Sequence, residues 1–457
     1  MRPPCWQVAI AGMLCGAAHA ADGYFDPAWG NGGGLQVDVS SGDDEGRALL
    51  VQRDGKLLLA GACIDANGTF SFCATRLLPN GAYDPAFGPA GLGYLTFSIF
   101  PGFPPFSYFP SAALLPGGGS VFADVTDRGN NLIAKLAENG ASVQQRDFSF
   151  ASGMSSVFAV AVQPDGKIVA VGVASRPDLS NTDFGVARFL PDLSFDTGFG
   201  TGGTRVIAFD LGGPTVGGAD VGRAVTLQAD GKIVIAGTAK VGNDSYAAVA
   251  RLNADGQLDA TFGSGGRKSF SWSPNHRDEV NAVAVDRNGT LLVAGTSLVG
   301  IGAPDLDFAV SRFAPDGSFD PVFGLQCPPP FCESGTVIVD LAGNFGAPTH
   351  DAVRALAVQS DGKILLAGDA KYTTIDQRMF ATARLTRNGD VDLDYGHLGM
   401  SGGGFGITWN TDSAAGLAFA NGGLMVAGYS RAVGGSDLRF GIGRLQMDLI
   451  FTDGFDP

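Results

Sequence analysis

The sequence predicts an all-β chain: a seven-bladed β-propeller with four-stranded antiparallel blades, closed by an N-terminal strand that completes the last blade. Three observations lead there. A ten-residue phrase recurs along the 457 residues, clearest as Gln163-Pro164-Asp165-Gly166-Lys167-Ile168-Val169-Ala170-Val171-Gly172, Gln228 to Gly237 and Gln359 to Gly368. Each repeat divides into four short apolar runs separated by turn residues. The two chain ends each lack the part of a repeat that the other supplies. Self-similarity at a period of about sixty residues is the mark of a closed array of small sheets.

Arg223 to Phe270 serves as the template. Ala224 to Gln228 is an apolar run (strand A), Ala229 to Gly231 carries turn chemistry, and Lys232 to Gly237 is the next run (strand B). Asp-Gly between two such runs is a hairpin signal, because Gly accepts positive φ and Asp bonds its own backbone. Ser245 to Leu252 follows as strand C, Asn253 to Gly263 makes a compact turn, and Arg267 to Ser271 is strand D. Hairpins centred near Gly55, Gly118, Gly166, Gly231, Gly289, Gly362 and Gly422 set the number of blades at seven. The second is degenerate, with Leu115-Pro116-Gly117-Gly118-Gly119 in place of the Asp-Gly-Lys phrase and Lys135 where other repeats carry Arg, yet Asn131 to Leu136 still reads as its strand C.

The closure prediction comes from the termini. Phe25-Asp26-Pro27-Ala28-Trp29-Gly30 is the turn that precedes a D strand, and Leu35 to Val39 is such a strand alone. The seventh repeat stops after its strand C, Arg439 to Met447. Joining the two leaves no open sheet edge.

The combined pattern Gln-x-Asp-Gly-Lys-Ile-x-x-x-Gly, then Phe-x-x-x-Arg-Leu-x-x-Asp-Gly-x-x-Asp-x-x-Phe-Gly, resembles the delta-sixty repeat of exported bacterial proteins across nearly all of Asp22 to Leu445. The resemblance implies a β-propeller and an exported protein. It implies no activity, since that family has no assigned biochemical role.

Residues 1–20 read as an export signal: Arg2 gives the positive end, Val8 to Ala18 the apolar run, and Ala18-His19-Ala20 a small-x-small cleavage site. The expected division is therefore a signal peptide at 1–20, a propeller at 22–447 and a C-terminal tail at 448–457, with delivery to the periplasm, cell surface or exterior. No later stretch is apolar for the twenty or so residues that a spanning helix requires, so no transmembrane segment is expected. Loss of Arg2 takes the formal net charge from −15 to −16, which argues against nucleic acid as a partner. Cys63 with Cys73, and Cys327 with Cys332, fall into close pairs that suit surface disulfides, and neither has zinc-site spacing.

Several sets of residues bear chemistry. Arg76, Arg188, Arg251, Arg312, Arg384 and Arg444 recur in strand C, and their regularity favours an Arg-carboxylate bond within each blade over a basic ring for an anionic ligand. Acids four apart in the C–D turn, such as Asp192 and Asp196 or Asp255 and Asp259, suit turn capping better than calcium, because each turn offers two carboxylates and a calcium loop assembles more oxygens. The Phe that follows, as in Phe87, Phe199, Phe262 and Phe323, is expected to wedge between blades. Asp44, Asp220, Asp278 and Asp351 precede strand A and are expected to ring one mouth of the central channel as binding residues. His276 and His350 are expected beside two of them as binding residues, which makes His276, Asp278, His350 and Asp351 the one cluster with metal-ligand chemistry; no cofactor is expected, and calcium or another divalent metal is the alternative. Gly399-Met400-Ser401-Gly402-Gly403 matches a nucleophile-elbow pattern, but it leads into a strand and lacks the strand-to-helix context.

The functional expectation is a non-catalytic, monomeric binding or display module. It would present the variable B–C and D–A loops, 100–110, 210–219, 296–306 and 341–349, to a protein or a glycan. The alternatives are a propeller enzyme of lactonase-like or quinone-dependent type with an acidic axial channel, and a structural envelope or surface component.

Overall fold

The computed structural model describes residues 22–65, 67–68, 70–97, 111–125, 130–141, 143–151, 153–176, 181–212, 218–299, 305–324, 335–341, 349–372, 378–405, 412–431 and 437–447. The expected leader at 1–20, the expected pair Cys327 and Cys332, and the expected tail at 448–457 lie outside the described residues. Among the described residues there are seven sheets of four antiparallel strands and one short 3-10 turn, at Pro89–Gly91. Blades 1 to 6 occupy 44–97, 111–148, 155–207, 221–270, 278–339 and 349–403, each in simple order A-B-C-D. In the template blade the strands are Val221–Leu227, Ile233–Val241, Asp244–Leu252 and Arg267–Phe270. The inner strands touch in sequence around a complete circle, from Asp44–Val51 of blade 1 to Asp412–Ala420 of blade 7 and back.

Blade 7 is closed across the termini. Gly34–Val37 lies against Leu438–Gln446, with Leu35 opposite Ile442 and Val37 opposite Phe440. The Tyr24 carbonyl accepts from Gln446 N–H at 2.8 Å, and Arg444 Nε donates to Asp26 Oδ2 at 2.8 Å. Asp26 thus supplies to the last blade the carboxylate that each other regular blade draws from its own C–D turn.

That carboxylate is half of the repeated joint. Arg76, Arg188, Arg251, Arg312 and Arg384 donate through Nε to Asp84, Asp196, Asp259, Asp320 and Asp392, at 2.7 to 2.9 Å. Four of them send Nη1 to a backbone carbonyl in the turn of the next blade, Glu138, Ala254, Pro315 and Arg387, and Arg384 sends it to Asp22. Each guanidinium also covers the aromatic ring of its own turn, Arg251 lying 4.7 Å from the Phe262 centroid. The ring in turn abuts a glycine of the next blade: a Cβ at Gly256 would lie 2.8 Å from Phe199. The strand-C arginines therefore join blades and face no ligand. The turn acids cap their own backbone, as in Ser194 N–H to Asp192 Oδ1 at 2.9 Å.

Blade 2 departs from this pattern. Its C–D turn is too short to carry the aromatic, and Lys135 Nζ reaches only the Pro191 carbonyl, at 2.6 Å. The next blade compensates. Where Gly256 and its counterparts stand, blade 3 has Leu193, 3% exposed at φ 66°, packed with Phe148, Phe150 and Phe189.

Candidate functional site

The inner strands carry a feature that their apolar pattern conceals. In six blades the A–B pairing shifts by one residue, between Gly46 and Ala48, Val157 and Ala159, Gly222 and Ala224, Val280 and Ala282, Val353 and Ala355, and Ala414 and Gly416. A β-bulge of this kind leaves one unpaired residue and re-aims its side chain. The bulged residues are Arg47, Phe158, Arg223, Asn281, Arg354 and Ala415. All six line one axial cavity of about 400 Å³ that every blade helps to wall.

This wall has a chemistry opposite to that of the whole protein. Arg47, Arg223 and Arg354 line it together with Asn281, Ser111, Ser413 and Phe158, and among the described lining residues none is an Asp, a Glu or a His. The arginines are held from behind. Arg47 bonds Glu45, Arg223 Nη2 lies 3.0 Å from Glu279 Oε1, and Arg354 Nε lies 3.2 Å from Asp369 Oδ1. Arg47 also stacks over Tyr429, and Arg223 over Phe158, with 5.2 and 5.3 Å to the centroids. Guanidiniums fixed in this way lose little freedom when a ligand arrives.

The predicted aspartate ring is placed elsewhere. Asp44, Asp220, Asp278 and Asp351 are at most 2% exposed, and none lines the cavity. Each reaches back to the second residue beyond strand D of the preceding blade: Val39 N–H donates to Asp44 at 2.7 Å, Phe209 to Asp220 at 2.9 Å, Trp272 to Asp278 at 3.1 Å and Leu341 to Asp351 at 3.2 Å. Asp412 makes the same bond to Phe405 and escaped the sequence reading. The physical reason is that strand A begins earlier than its apolar run, so Asp44 and Asp278 are its first residues. The bulge after them then turns the following arginine or asparagine, in place of the acid, toward the axis. Burial pushes Asp220 up to about 6 and raises Asp44 and Asp278 as well, against the hydrogen bonds that favour their charged forms.

The two histidines do not converge. His276 stacks on Tyr246 at 4.8 Å, whereas His350 Nδ1 lies 3.2 Å from Asp305. Among the described residues, two groups have metal-ligand spacing. One is Asp44 with Cys63 and Cys73, whose sulfurs are joined in a disulfide as predicted. The other, Asp307, Asp340 and Asp351, contains two acids that the sequence reading did not single out. Asp307 is pushed up to about 8 by burial first and by the neighbouring Asp340, Asp305 and Asp351 next. Ser401, of the elbow-like motif, sits in strand Met400–Gly403 opposite Thr382, which is no nucleophile elbow.

A second, larger cavity of about 650 Å³ lies between blades 2 and 3, beneath Lys135, Leu136 and Pro191. It is the gap left by the short turn of blade 2, and its walls are mainly backbone turns with few directed groups. The axial cavity is therefore the better candidate for recognition.

Comparison with known proteins agrees on the fold. The family described as "Domain of unknown function (DUF5122) beta-propeller" matches residues 52–87, 163–199, 228–262, 287–323 and 359–394, the A–B hairpin to C–D turn of blades 1, 3, 4, 5 and 6. No curated protein matches the chain. Among solved structures, a polysaccharide lyase described as an ulvan lyase is similar at 10% identity and TM-score 0.50, over 89% of this chain and 95% of that one. A gluconolactonase from Xanthomonas campestris is similar at 11% identity and TM-score 0.38, over 90% and 98%. At 10% identity the likeness to the lyase shows the fold alone. No helix among the described residues is long and apolar enough to cross a membrane.

Proposed function

We propose that the protein is an exported, non-catalytic binding module whose axial cavity receives an acidic sugar unit of a glycan. The observation that carries this is the bulge ring, which brings Arg47, Arg223 and Arg354 to one acid-free wall in a chain of net charge −15. A carboxylate or sulfate would meet planar donors there, hydroxyls would meet Asn281, Ser111 and Ser413, and the apolar face of a pyranose would meet Phe158. The volume suits one or two sugar residues, within the range of about 300 to 1,000 Å³ usual for ligand cavities. Holding is favoured over turnover because the described lining residues offer no carboxylate or imidazole to accept a proton. The Cys63–Cys73 disulfide supports an oxidising, exported setting.

Calorimetric titration with uronic-acid oligosaccharides and with their neutral counterparts tests the reading. The acidic series is expected to bind, more weakly as salt rises, and Arg223→Ala and Arg354→Ala are each expected to lose about tenfold or more in affinity. Equal binding of the neutral series, or full affinity in both variants, would refute it.

A further inference from the structure

We propose that Asp307, Asp340 and Asp351 form a divalent-cation site, matched best to calcium, at the seam between blades 5 and 6. None of these residues lines the axial cavity. Asp307 is the third residue of strand C, Asp305–Phe313; Asp340 follows strand D, Thr336–Val339; and Asp351 is the third residue of the next strand A, Thr349–Val358. All three meet on the face that carries the B–C and D–A loops, and one oxygen from each lies within 4.8 Å of the others.

An acidic cluster alone would mean little, but Asp307 adds a second observation. Its side chain is 5% exposed, and its Oδ1 is buried with no hydrogen-bond donor. A buried carboxylate oxygen without a donor is costly unless a cation faces it. Asp305, two residues earlier, is drawn aside by His350 Nδ1 at 3.2 Å.

Two other blades show how the fold meets the same electrostatic demand. Strand register aligns Asp38 and Arg439 of blade 7 with Asp340 and Asp307, since Val37 opposes Phe440 as Val339 opposes Phe308. There the chain supplies its own cation: Arg439 Nη2 lies 3.0 Å from Asp38 Oδ2. In blade 3 the residue aligned with Asp307 is Asp183, and Arg176 clasps it through Nε and Nη2, both at 3.0 Å. Blade 5 places acids at both aligned positions, with Asp351, which accepts from Leu341 N–H, as the third, and no described Lys or Arg bonds to Asp307. A bound ion would do what Arg439 and Arg176 do elsewhere. Three carboxylates and no sulfur or imidazole select a hard cation. The exposed Asp340 leaves one side open to water, which suits the high and irregular coordination of calcium.

The test uses the full mature chain, stripped with a chelator and then melted with and without millimolar calcium chloride, beside elemental analysis of the reloaded protein. One calcium per chain and a rise in melting temperature of about 4 °C at saturating ion are expected. Asp340→Asn alters an exposed side chain, so it should fold normally and lose most of the rise. Asp307→Asn should lose the rise and, in chelator, melt no lower than the parent, because it puts a neutral amide of the same shape in place of a buried acid without a donor. No bound metal and no rise in the parent, or the full rise kept in both variants, would overturn the proposal.

Discussion

Leu193→Gly separates packing from backbone strain at the one interface where the fold had to improvise. Leu193 sits at φ 66°, a left-handed conformation that costs a non-glycine residue about 1 to 2 kcal/mol, and every regular blade places glycine at the aligned position. Restoring glycine relieves that strain. It also deletes a side chain that is 3% exposed against Phe148, Phe150 and Phe189, and losing a buried leucine costs about 2 to 5 kcal/mol. The packing loss is the larger, so the variant should be less stable by about 2 kcal/mol. The mirror variant Gly256→Leu should do worse, because its Cβ would lie 2.8 Å from the Phe199 ring and its φ is 85°. Removing the wedge at the same time, with Phe199→Ala, should recover part of that loss. A double-mutant cycle read by denaturant melts measures the coupling between Phe199 and residue 256. A Leu193→Gly protein as stable as its parent, or zero coupling in the cycle, would refute the idea that the leucine replaces the aromatic missing from blade 2.

Two further outcomes follow from the buried charges. Asp220 holds its proton up to about 6 in the folded chain and releases it near the ordinary 3.8 when unfolded, so folding stability should fall as pH rises from about 4 to about 6, by up to about 3 kcal/mol. Asp220→Asn should flatten that decline in melts taken across the range, and an unchanged slope would contradict the assignment. Arg251→Met strands Asp259 in a joint where both are at most 5% exposed, so it should cost about 3 to 5 kcal/mol in denaturant melts.

The blades and their closure were readable because each depends on local chemistry repeated many times. Asp-Gly-Lys specifies a hairpin wherever it occurs, and Asp26-Pro27-Ala28-Trp29-Gly30 displays an orphan turn that only the last blade could receive. The Arg-carboxylate joint was readable for the same reason: Arg251 and Asp259 keep a fixed separation in every regular copy. The axial site was not, because it depends on a bulge. One unpaired residue changes which of Asp44, Glu45 and Arg47 faces the axis, and alternation counted from the sequence cannot locate the slip. The Asp307 cluster was hidden differently, since its members come from two blades and are related only by pairing register. Leu193 did leave a signal, as the one leucine where the aligned turns read Asp-Gly or Asn-Gly, directly after the one blade without its aromatic.

The face assignments, the bulge ring and the seam between blades 5 and 6 all depend on the ring being shut by strand Gly34–Val37. The direct test is Leu35→Cys with Ile442→Cys, residues that oppose each other in the closing pair. Oxidation should yield a crosslinked peptide within one chain and raise the melting temperature, with an upper gain of about 6 kcal/mol for so long a loop. Free thiols after oxidation, or crosslinks formed only between chains, would show that the first strand does not complete the last blade.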